Sequence, residues 1–262
     1  MKQIRIKGTD LDVSKLVFGT DRIHHTFSAI DRQNLLERVI DQGFTHFDTA
    51  PLYGYGVAER ELGKLKASGK DFTISTKICL YSPGGDDQSL RTTIFRKTFG
   101  KVFGKFNKPV VDFSIKAAET SVNNSLRRLS SECIDILLIH EPIADLINTD
   151  EWMKLAQNLK ASGKIKYLGL AGNIENIREC MQLPNDLFQI IQTQNSLRHL
   201  EAKQLEQFNR EAQFTYGYIS SEMRVSSNVN SNAILREAAY LNPRGAIILT
   251  TTSADRIKNI AI

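Results

Sequence analysis

The sequence predicts an α/β protein with the architecture of a closed (β/α)8 TIM barrel, and three observations support that prediction. Short apolar runs rich in β-branched residues alternate eight times with amphipathic stretches. These runs do not alternate strictly between apolar and polar residues, which is typical of parallel strands covered on both faces. The length of 262 residues suits one barrel of this kind, which typically has about 250 residues.

Eight segments of the chain are predicted as barrel strands. They span residues 15–20, 44–49, 71–76, 134–139, 164–170, 187–193, 213–219 and 245–250. Ahead of them, the segment 2–16 predicts a small N-terminal β-hairpin that turns around Gly8, Thr9 and Asp10 and covers the floor of the barrel.

Amphipathic helices are predicted between the strands. The first spans 31–43, with its apolar residues on one face, Asp31 as the N-cap and Gly43 as the stop. The remaining predicted helices are 57–67, 114–130, 151–164, 173–183, 200–212, 231–241 and 253–260. Each follows a predicted strand, so the elements form the repeated strand–helix unit of a parallel barrel.

The whole chain, residues 1–262, is predicted to form a single barrel domain. No linker rich in Pro, Gly or Ser interrupts it, and no GxGxxG motif follows a strand, so a Rossmann nucleotide site has no support. The connection 78–113 is long, as functional loops often are, and we expect it on the active-site face. The chain ends soon after the eighth helix begins, which predicts a barrel shortened at the C-terminus.

Composition and charge predict a soluble, cytoplasmic protein. With 41% hydrophobic and 24% charged residues the chain can bury a sizeable core, and it has no apolar run long enough to cross a bilayer. Cys79, Cys133 and Cys180 form neither a CxxC pair nor a metal-ligand pattern, so we expect reduced thiols and no metal site. The net charge of +5 is too small to indicate nucleic acid. We expect no membrane or nucleic-acid partner, and a monomer or small homo-oligomer.

Four polar residues in the first half of the chain are candidates for one catalytic site. Asp48 and Tyr53 lie in FDTAPLYG, Lys77 lies in STKI, and His140 lies in LLIHEP. In each stretch a short apolar run leads into a polar residue, as when a buried strand delivers a side chain at its carboxyl end. In a parallel barrel these ends open on one face, so the four side chains are predicted to converge as a proton-relay site.

These motifs and several others resemble those of the aldo/keto reductase family. The matching stretches are LVFGT (16–20), GFTHFDTAPLYGYGVAERELGK (43–64), STKI (75–78), SVNNSLRRLSSECIDILLIHEP (121–142), GKIKYLGLAG (163–172), IIQTQNSL (190–197) and TTSADRIKNI (251–260). The FDTAPLYGYGVAERELG motif and the long connection before DFS are more similar to the sugar- and aldose-oxidising branch. The resemblance implies a barrel that transfers a hydride between a nicotinamide cofactor and a small carbonyl or sugar substrate.

The resemblance also implies a role for each candidate catalytic residue. Tyr53 is the general acid/base, and Lys77 is expected to lower its pKa from the ordinary value of about 10. Asp48 pairs with Lys77 and keeps it oriented and charged. His140 donates a hydrogen bond to the substrate oxygen and so selects its orientation.

Taken singly, each of these residues has a structural explanation. Asp48 could cap the turn that follows it, and Tyr53 could pack over a loop, with Tyr55 as a rival if the register shifts. Lys77 could be a solvated strand end, and His140 a loop histidine. Together, in matching flanks, they favour the catalytic interpretation.

The cofactor contacts are likewise carried over from the resemblance. Gly19 and Thr20 would line the nicotinamide ribose, Gln192 would bind the carboxamide, and Tyr216 would stack on the ring. Further cofactor contacts are assigned to Asp48, Gly217, Ile219, Ser221, Thr251 and Arg256. The alternatives are a polar layer residue for Gln192, core packing for Tyr216 and a surface helix arginine for Arg256.

Some positions depart from the pattern of the family. Ala171-Gly172 stands where the family has Ser-Asn or Ser-Gly, and Asn173 is the candidate replacement for the lost carboxamide contact. Thr250 stands where a lysine or glycine is usual. Arg256 matches the arginine that meets the 2′-phosphate of the cofactor, so NADP(H) is favoured over NAD(H), although the charge clamp lacks a lysine.

Two further interpretations stay open at the level of the sequence. The departures from the family pattern also fit a non-catalytic nicotinamide-binding or sensor protein on the same barrel. The segment 91–108 interleaves basic and apolar residues like a basic amphipathic helix. We expect it to be a lid helix with its aromatic face on the barrel, whereas a contact with membrane, nucleic acid or an anionic substrate is the alternative.

Overall fold

The protein is a closed barrel of eight parallel strands. The computed structural model describes residues 1–26, 28–88, 108–184 and 187–260. In chain order the strands are β1 (Gln3–Arg5), β2 (Asp12–Ser14), β3 (Leu16–Gly19), β4 (His46–Asp48), β5 (Thr73–Ile78), β6 (Leu80–Tyr81), β7 (Val110–Val111), β8 (Ile134–His140), β9 (Ile165–Gly172), β10 (Ile190–Gln194), β11 (Phe214–Tyr216) and β12 (Ala246–Leu249). The barrel order is β3, β4, β5, β8, β9, β10, β11 and β12, and β12 pairs again with β3. The predicted fold class is confirmed.

Helices connect successive barrel strands. The α-helices of the described residues are Ala29–Asp41, Val57–Ala67, Ile115–Arg128, Thr149–Ala161, Ile174–Cys180, Tyr218–Met223, Ser231–Leu241 and Ala254–Lys258. Short 3-10 helices span Ile23–His25, Ala144–Leu146 and Glu201–Phe208. No helix within the described ranges combines the length and apolarity that crossing a bilayer requires.

Three element predictions need correction. The N-cap of the first helix is Ser28, whose hydroxyl oxygen accepts a hydrogen bond from the amide of Asp31 at 3.2 Å. Asp31 is therefore a first-turn residue. The predicted helix 200–212 is a 3-10 helix over Glu201–Phe208, and it ends before 212 because Asn209 is left-handed. The predicted strand 213–219 stops at Tyr216, because Gly217 at φ 100° turns the chain into an unpredicted helix.

Two buried layers hold the barrel, one inside it and one beneath the helices. Along β8 alternate residues separate, so that Leu138 joins the inner cluster and Leu137 the outer one. The N-terminal hairpin formed by β1 and β2 adds Ile6 and Val13, both fully buried, to the inner cluster. The hairpin therefore fills one end of the barrel, as predicted, and leaves the carboxyl ends of the strands for the site.

The long connection after β5 starts and ends in an unpredicted antiparallel pair, β6 with β7. Arg128 holds the first part of this connection: it donates to the buried Glu59 at 2.6 Å and also to the exposed Asp87 of the connection at 3.2 Å. The predicted lid helix at 91–108 lies outside the described residues, except for Lys108. Its role stays a prediction.

Candidate active site

The carboxyl ends of β4, β5 and β8 bring the four predicted catalytic residues together. Asp48 ends β4, Lys77 lies near the end of β5, and His140 ends β8. Tyr53 follows β4 in a turn. The ammonium of Lys77 lies 4.9 Å from the centroid of the Tyr53 ring, and the rings of Tyr53 and His140 are 6.3 Å apart between centroids.

Lys77 and Asp48 form a buried ion pair. The Nζ atom of Lys77 donates to Oδ1 and Oδ2 of Asp48 at 2.8 and 2.7 Å and to the carbonyl oxygen of Thr49 at 3.0 Å. These bonds use all donors of the ammonium group. The Lys77 side chain is only 2% exposed, so the alternative of a solvated strand end is wrong. A lysine buried this deeply needs such a partner to stay charged.

A tightly wound turn presents Tyr53 to this pair. Gly54, Tyr55 and Gly56 all have left-handed φ angles, of 63°, 56° and 80°. A Cβ atom on Gly54 would lie 2.5 Å from the Cβ of His24, so the turn requires glycine there. Tyr55 is buried, whereas the ring contacts of Lys77 and His140 go to Tyr53.

The pKa of Tyr53 is raised well above its ordinary value of 10, chiefly by burial. The negative charges of Asp48, Asp21 and Glu141 raise it further. The prediction that Lys77 brings this pKa below 10 is therefore wrong, because burial and the three carboxylates outweigh the ammonium. Because Lys77 is bound to both oxygens of Asp48, the carboxylate offsets part of its charge at the phenol. Tyr53 holds its proton at neutral pH.

His140 is neutral at physiological pH. Burial lowers the pKa of its imidazole from 6.5 to about 3, and the charge of Lys77 acts in the same direction. Its buried Nδ1 atom has no hydrogen-bond partner among the described residues. A neutral imidazole donates from one nitrogen and accepts at the other, so His140 has hydrogen-bonding capacity left for an oxygen atom in the site.

A second row of hydrogen bonds supports Asp48 from inside the barrel. The Oγ atom of Ser75 donates to Oδ1 of Asp48 at 2.9 Å and lies 3.2 Å from Nε2 of His46. Nδ1 of His46 lies 2.7 Å from Oγ1 of Thr73. The imidazole of His46 is fully buried and stacks on Phe214, and burial lowers its pKa to about 4. Asp48 is therefore fixed from two sides.

Our sequence interpretation missed His46 and Ser75, although a signal for them exists. His46 lies two residues before Asp48 on β4, and Ser75 lies two residues before Lys77 on β5. Side chains two apart on a strand share a face. The pairing of Asp48 with Ser75 and of His46 with Thr73 then brings these polar side chains together inside the barrel.

Gln192 and Tyr216 lie on the opposite side of the barrel mouth. Gln192 is buried on β10, and its Oε1 atom has no hydrogen-bond partner among the described residues. It pairs in register with Ala171, which in turn pairs with His140, so the two site residues lie at one level. Tyr216 is half-buried at the end of β11. An unsatisfied buried amide oxygen beside an aromatic ring fits an amide-bearing ring such as nicotinamide.

Gly19 and Thr20 support the site through close packing. A Cβ atom on Gly19 would lie 2.6 Å from Oγ1 of Thr250, so only glycine fits. The hydroxyl and the amide of Thr20 both donate to the backbone oxygen of Asp48, at 3.0 and 2.9 Å. The predicted contact of these two residues with a ribose stays a prediction.

Gly217, Ile219 and Ser221 lie in and before the helix Tyr218–Met223, at the end of β11. Ile219 and Ser221 are half-buried. Tyr218 is buried; its hydroxyl donates to Thr215 at 3.1 Å and anchors the helix.

Thr251 and Arg256 follow β12. Thr251 is buried, and its hydroxyl oxygen accepts a hydrogen bond from the amide of Ser253 at 3.1 Å. Arg256 is exposed on the helix Ala254–Lys258. The structure does not bring Arg256 to the four catalytic candidates, as expected for a residue that would meet the far end of a dinucleotide.

Asn173 is held at the end of β9 by both ends of its amide. Its side-chain oxygen caps a helix by accepting a hydrogen bond from the amide of Asn176 at 2.9 Å. Its Nδ2 group donates to Oε2 of Glu141 at 3.2 Å. Its role as a replacement for the lost carboxamide contact stays a prediction. The contact reveals Glu141 as a residue of the site that our sequence interpretation did not single out.

Within the described part of the chain, no group of three or more His, Cys, Asp or Glu residues is arranged to hold a metal ion. The fold and the residues together define a (β/α)8 barrel with an acid–base cluster at its strand ends.

Comparison with known proteins agrees with this class. The model of the aldo/keto reductase family matches residues 15–214 of the chain. The chain belongs to the aldo/keto reductase family, and the predicted resemblance is confirmed.

Its relatives by sequence include enzymes named for sugar chemistry. The chain is 32% identical over 167 residues to 6-dehydroglucose reductase from Agrobacterium fabrum, a match that covers 62% of this chain and 50% of that protein. It is 26% identical over 189 residues to L-galactose dehydrogenase from Arabidopsis thaliana, covering 69% of this chain and 48% of the relative. The chain thus spans about half the length of these relatives.

Solved structures show the same fold. The holo form of an aldo-keto reductase from Bacillus halodurans superposes with a TM-score of 0.74 at 21% identity, covering 98% of this chain and 89% of that one. Glycerol dehydrogenase from Gluconobacter oxydans superposes with a TM-score of 0.72 at 20% identity, covering 97% and 88%.

Proposed function

We propose that the protein is a nicotinamide-dependent oxidoreductase that moves a hydride between NAD(P)(H) and a small carbonyl or sugar substrate, with Tyr53 as general acid/base. The observation that carries this proposal is the buried Lys77–Asp48 pair beside the protonated Tyr53 and the neutral His140. Membership of the aldo/keto reductase family supports it.

A bound nicotinamide would supply the hydride in reduction and accept it in oxidation. Gln192 is proposed to bind its carboxamide through the buried oxygen that has no partner among the described residues. Tyr216 is proposed to pack on the ring. Gly19, Thr20, Asp48, Gly217, Ile219, Ser221, Thr251 and Arg256 are proposed to hold the rest of the cofactor. Arg256, an exposed guanidinium, suits a 2′-phosphate, so we propose NADP(H) over NAD(H).

Tyr53 is proposed to deliver the proton that reduction requires. When a carbonyl carbon gains a hydride, its oxygen becomes an oxyanion, and the Tyr53 hydroxyl can protonate it. The phenolate left behind is stabilised by Lys77, whose ammonium lies 4.9 Å from the ring centroid. In oxidation the phenolate takes the proton back from the substrate hydroxyl.

His140 is proposed to orient the substrate oxygen. Because its imidazole is neutral, it can donate a hydrogen bond without adding charge. This arrangement stabilises the oxygen as negative charge develops on it.

The names of the relatives support a small polyhydroxylated or carbonyl substrate. One is a reductase of 6-dehydroglucose, another a dehydrogenase of L-galactose, and a structural relative is a glycerol dehydrogenase. We further propose a single barrel domain over residues 1–262, a cytoplasmic location, no nucleic-acid or membrane partner, and a monomer or small homo-oligomer.

Turnover of the purified chain tests the proposal. Each reduced and oxidised nicotinamide is combined with a panel of aldehydes, ketoses and sugars, and the absorbance of the reduced cofactor is followed. We expect turnover that falls by roughly 10²–10⁴-fold in Tyr53→Phe while cofactor binding is kept. Tyr240→Phe, at a residue 83% exposed, is the matched control. Tight cofactor binding without turnover on any substrate would instead favour the non-catalytic sensor.

A further inference from the structure

Glu141 bridges the ends of two barrel strands beside the catalytic cluster. It directly follows His140 and adopts a left-handed φ of 46°, which is unusual for a residue with a side chain of this size. Its amide donates to the carbonyl oxygen of Ala171 at 2.7 Å. Its Oε2 atom accepts the amide and the Nδ2 group of Asn173, both at 3.2 Å. The carboxylate is therefore held in place across the ends of β8 and β9.

Gly172 makes room for this carboxylate. A Cβ atom at this position would lie 2.9 Å from Oε2 of Glu141 and 3.1 Å from Cδ of Pro142. Glu141 and Gly172 are therefore sterically matched. The match explains the glycine, at a strand end where the chain departs from the family pattern.

The carboxylate lies at the end of β9, the strand between those that carry the residues proposed for the two reactants. His140 pairs with Ala171, and Ala171 pairs with Gln192, so the end of β9 lies between the proposed substrate contact and the proposed carboxamide contact. The charge of Glu141 also raises the pKa of both Tyr53 and Tyr216. Both rings therefore lie within its electric field.

Little in the cluster cancels this charge. Of the carboxylates that act on Tyr53, Asp48 is neutralised by Lys77. Glu141 receives its side-chain hydrogen bonds from Asn173, which is neutral.

We propose that Glu141 makes the cofactor site selective for the oxidised form of the nicotinamide. The oxidised ring carries a positive charge and the reduced ring is neutral, so a fixed carboxylate stabilises only the former. Glu141 thereby favours occupation of the site by the oxidised form over the reduced form. The inference rests on the proposed function and deepens it.

Binding measured in the absence of substrate tests this inference. Isothermal titration calorimetry gives the Kd values of NADP⁺, NADPH, NAD⁺ and NADH for the full chain and its variants. In Glu141→Gln we expect the Kd of the oxidised forms to rise by roughly three- to tenfold, as expected for the loss of one nearby charge. The Kd of the reduced forms should stay within about twofold. Glu211→Gln is the matched control. It makes the same change in net charge, at a carboxylate that binds Arg244 and Lys7.

Two more variants keep the test decisive. Glu141→Asp retains the charge and should retain the selectivity. Glu141→Asn removes the charge and suits the left-handed backbone, so it serves if Glu141→Gln does not fold. If the ratio of the Kd of the oxidised cofactor to that of the reduced cofactor is unchanged in both neutral variants, the inference about Glu141 is overturned and the proposed function is not affected. A wild-type chain that binds neither form overturns the proposed function as well.

Discussion

The two halves of the barrel mouth differ in the charged groups that they bury. At the ends of β4, β5 and β8, Lys77 donates its three hydrogen bonds to Asp48 and Thr49, and Ser75 adds one more bond to Asp48. We call this the acid–base half. At the ends of β10, β11 and β12, the buried oxygen of Gln192 has no partner among the described residues, and Arg256 is exposed. We call this the cofactor half.

Each half keeps a buried polar atom without a partner among the described residues, Nδ1 of His140 in one and Oε1 of Gln192 in the other, so the difference lies in the buried charges. The acid–base half buries charges that must satisfy one another for the barrel to fold, so its geometry is fixed beforehand. The cofactor half keeps polar atoms for a partner. Substitutions in the acid–base half should therefore reduce both stability and turnover, whereas those in the cofactor half should reduce affinity alone.

The largest effect is expected from Lys77→Met. It leaves the Asp48 carboxylate buried without its cation, which should lower the free energy of unfolding by about 3–5 kcal/mol. It also removes the charge that stabilises the Tyr53 phenolate, so turnover should fall by roughly 10²–10⁴-fold. Urea unfolding and initial rates measure the two losses.

The double variant Asp48→Asn/Lys77→Met separates these losses. It removes both charges, so it should recover most of the lost stability but none of the turnover. If the double variant is as unstable as Lys77→Met, an unpaired carboxylate is not the cause.

A second prediction concerns pH and His46. Burial lowers the pKa of its imidazole from 6.5 to about 4, and the charge of Lys77 also lowers it, whereas that of Asp135 raises it. Below pH 6.5 the unfolded chain binds a proton there that the folded barrel does not, so stability falls with pH down to about 4. The loss due to His46 should be about 3 kcal/mol.

Urea unfolding between pH 7 and 4 measures this loss. His140, whose pKa is lowered to about 3, adds a slope of the same sign. His46→Gln should therefore reduce the slope of the free energy of unfolding against pH by the amount that corresponds to about one proton, without abolishing it. An unchanged slope would show that His46 does not stay neutral in the folded barrel.

The cofactor half should respond differently to Gln192→Met. The buried oxygen of Gln192 accepts no hydrogen bond from the described residues, so stability should change by less than about 0.5 kcal/mol. Cofactor Kd should rise by about tenfold, as for one lost hydrogen bond. A loss of stability without a loss of affinity would make Gln192 a structural residue of the barrel layer.

The smallest effect is expected from Arg256→Ala. Because this guanidinium is exposed on the helix Ala254–Lys258, a contact with a 2′-phosphate should be worth only about 1 kcal/mol. The Kd of NADPH should rise roughly fivefold, and that of NADH should stay constant. Equal changes for both cofactors would remove Arg256 from the phosphate site.

Local patterns predicted the barrel and most of its elements. The helix Val57–Ala67 has the predicted bounds, and the stretches around Asp48, Lys77 and His140 were recognisable because each ends a buried strand. What local patterns did not predict depends on partners distant in sequence. The contact of Glu141 with Asn173 joins two strand ends.

The predicted effect of Lys77 on the pKa of Tyr53 was wrong for a similar reason. Its sign depends on how far Asp48 offsets the ammonium, which is a property of three-dimensional distances and burial.

The central claim is that the acid–base half holds Tyr53 as a neutral acid before any ligand binds. The most direct test is ¹³C NMR of ring-labelled tyrosine in the free protein from pH 6 to 11, with Tyr53→Phe used to assign the signal. Because burial and the neighbouring carboxylates raise the pKa of Tyr53, its signal should remain that of a phenol beyond pH 10, the ordinary midpoint of tyrosine. A phenolate signal with a midpoint below about pH 8, far under that ordinary value, would show that Lys77 governs the site and would contradict the account.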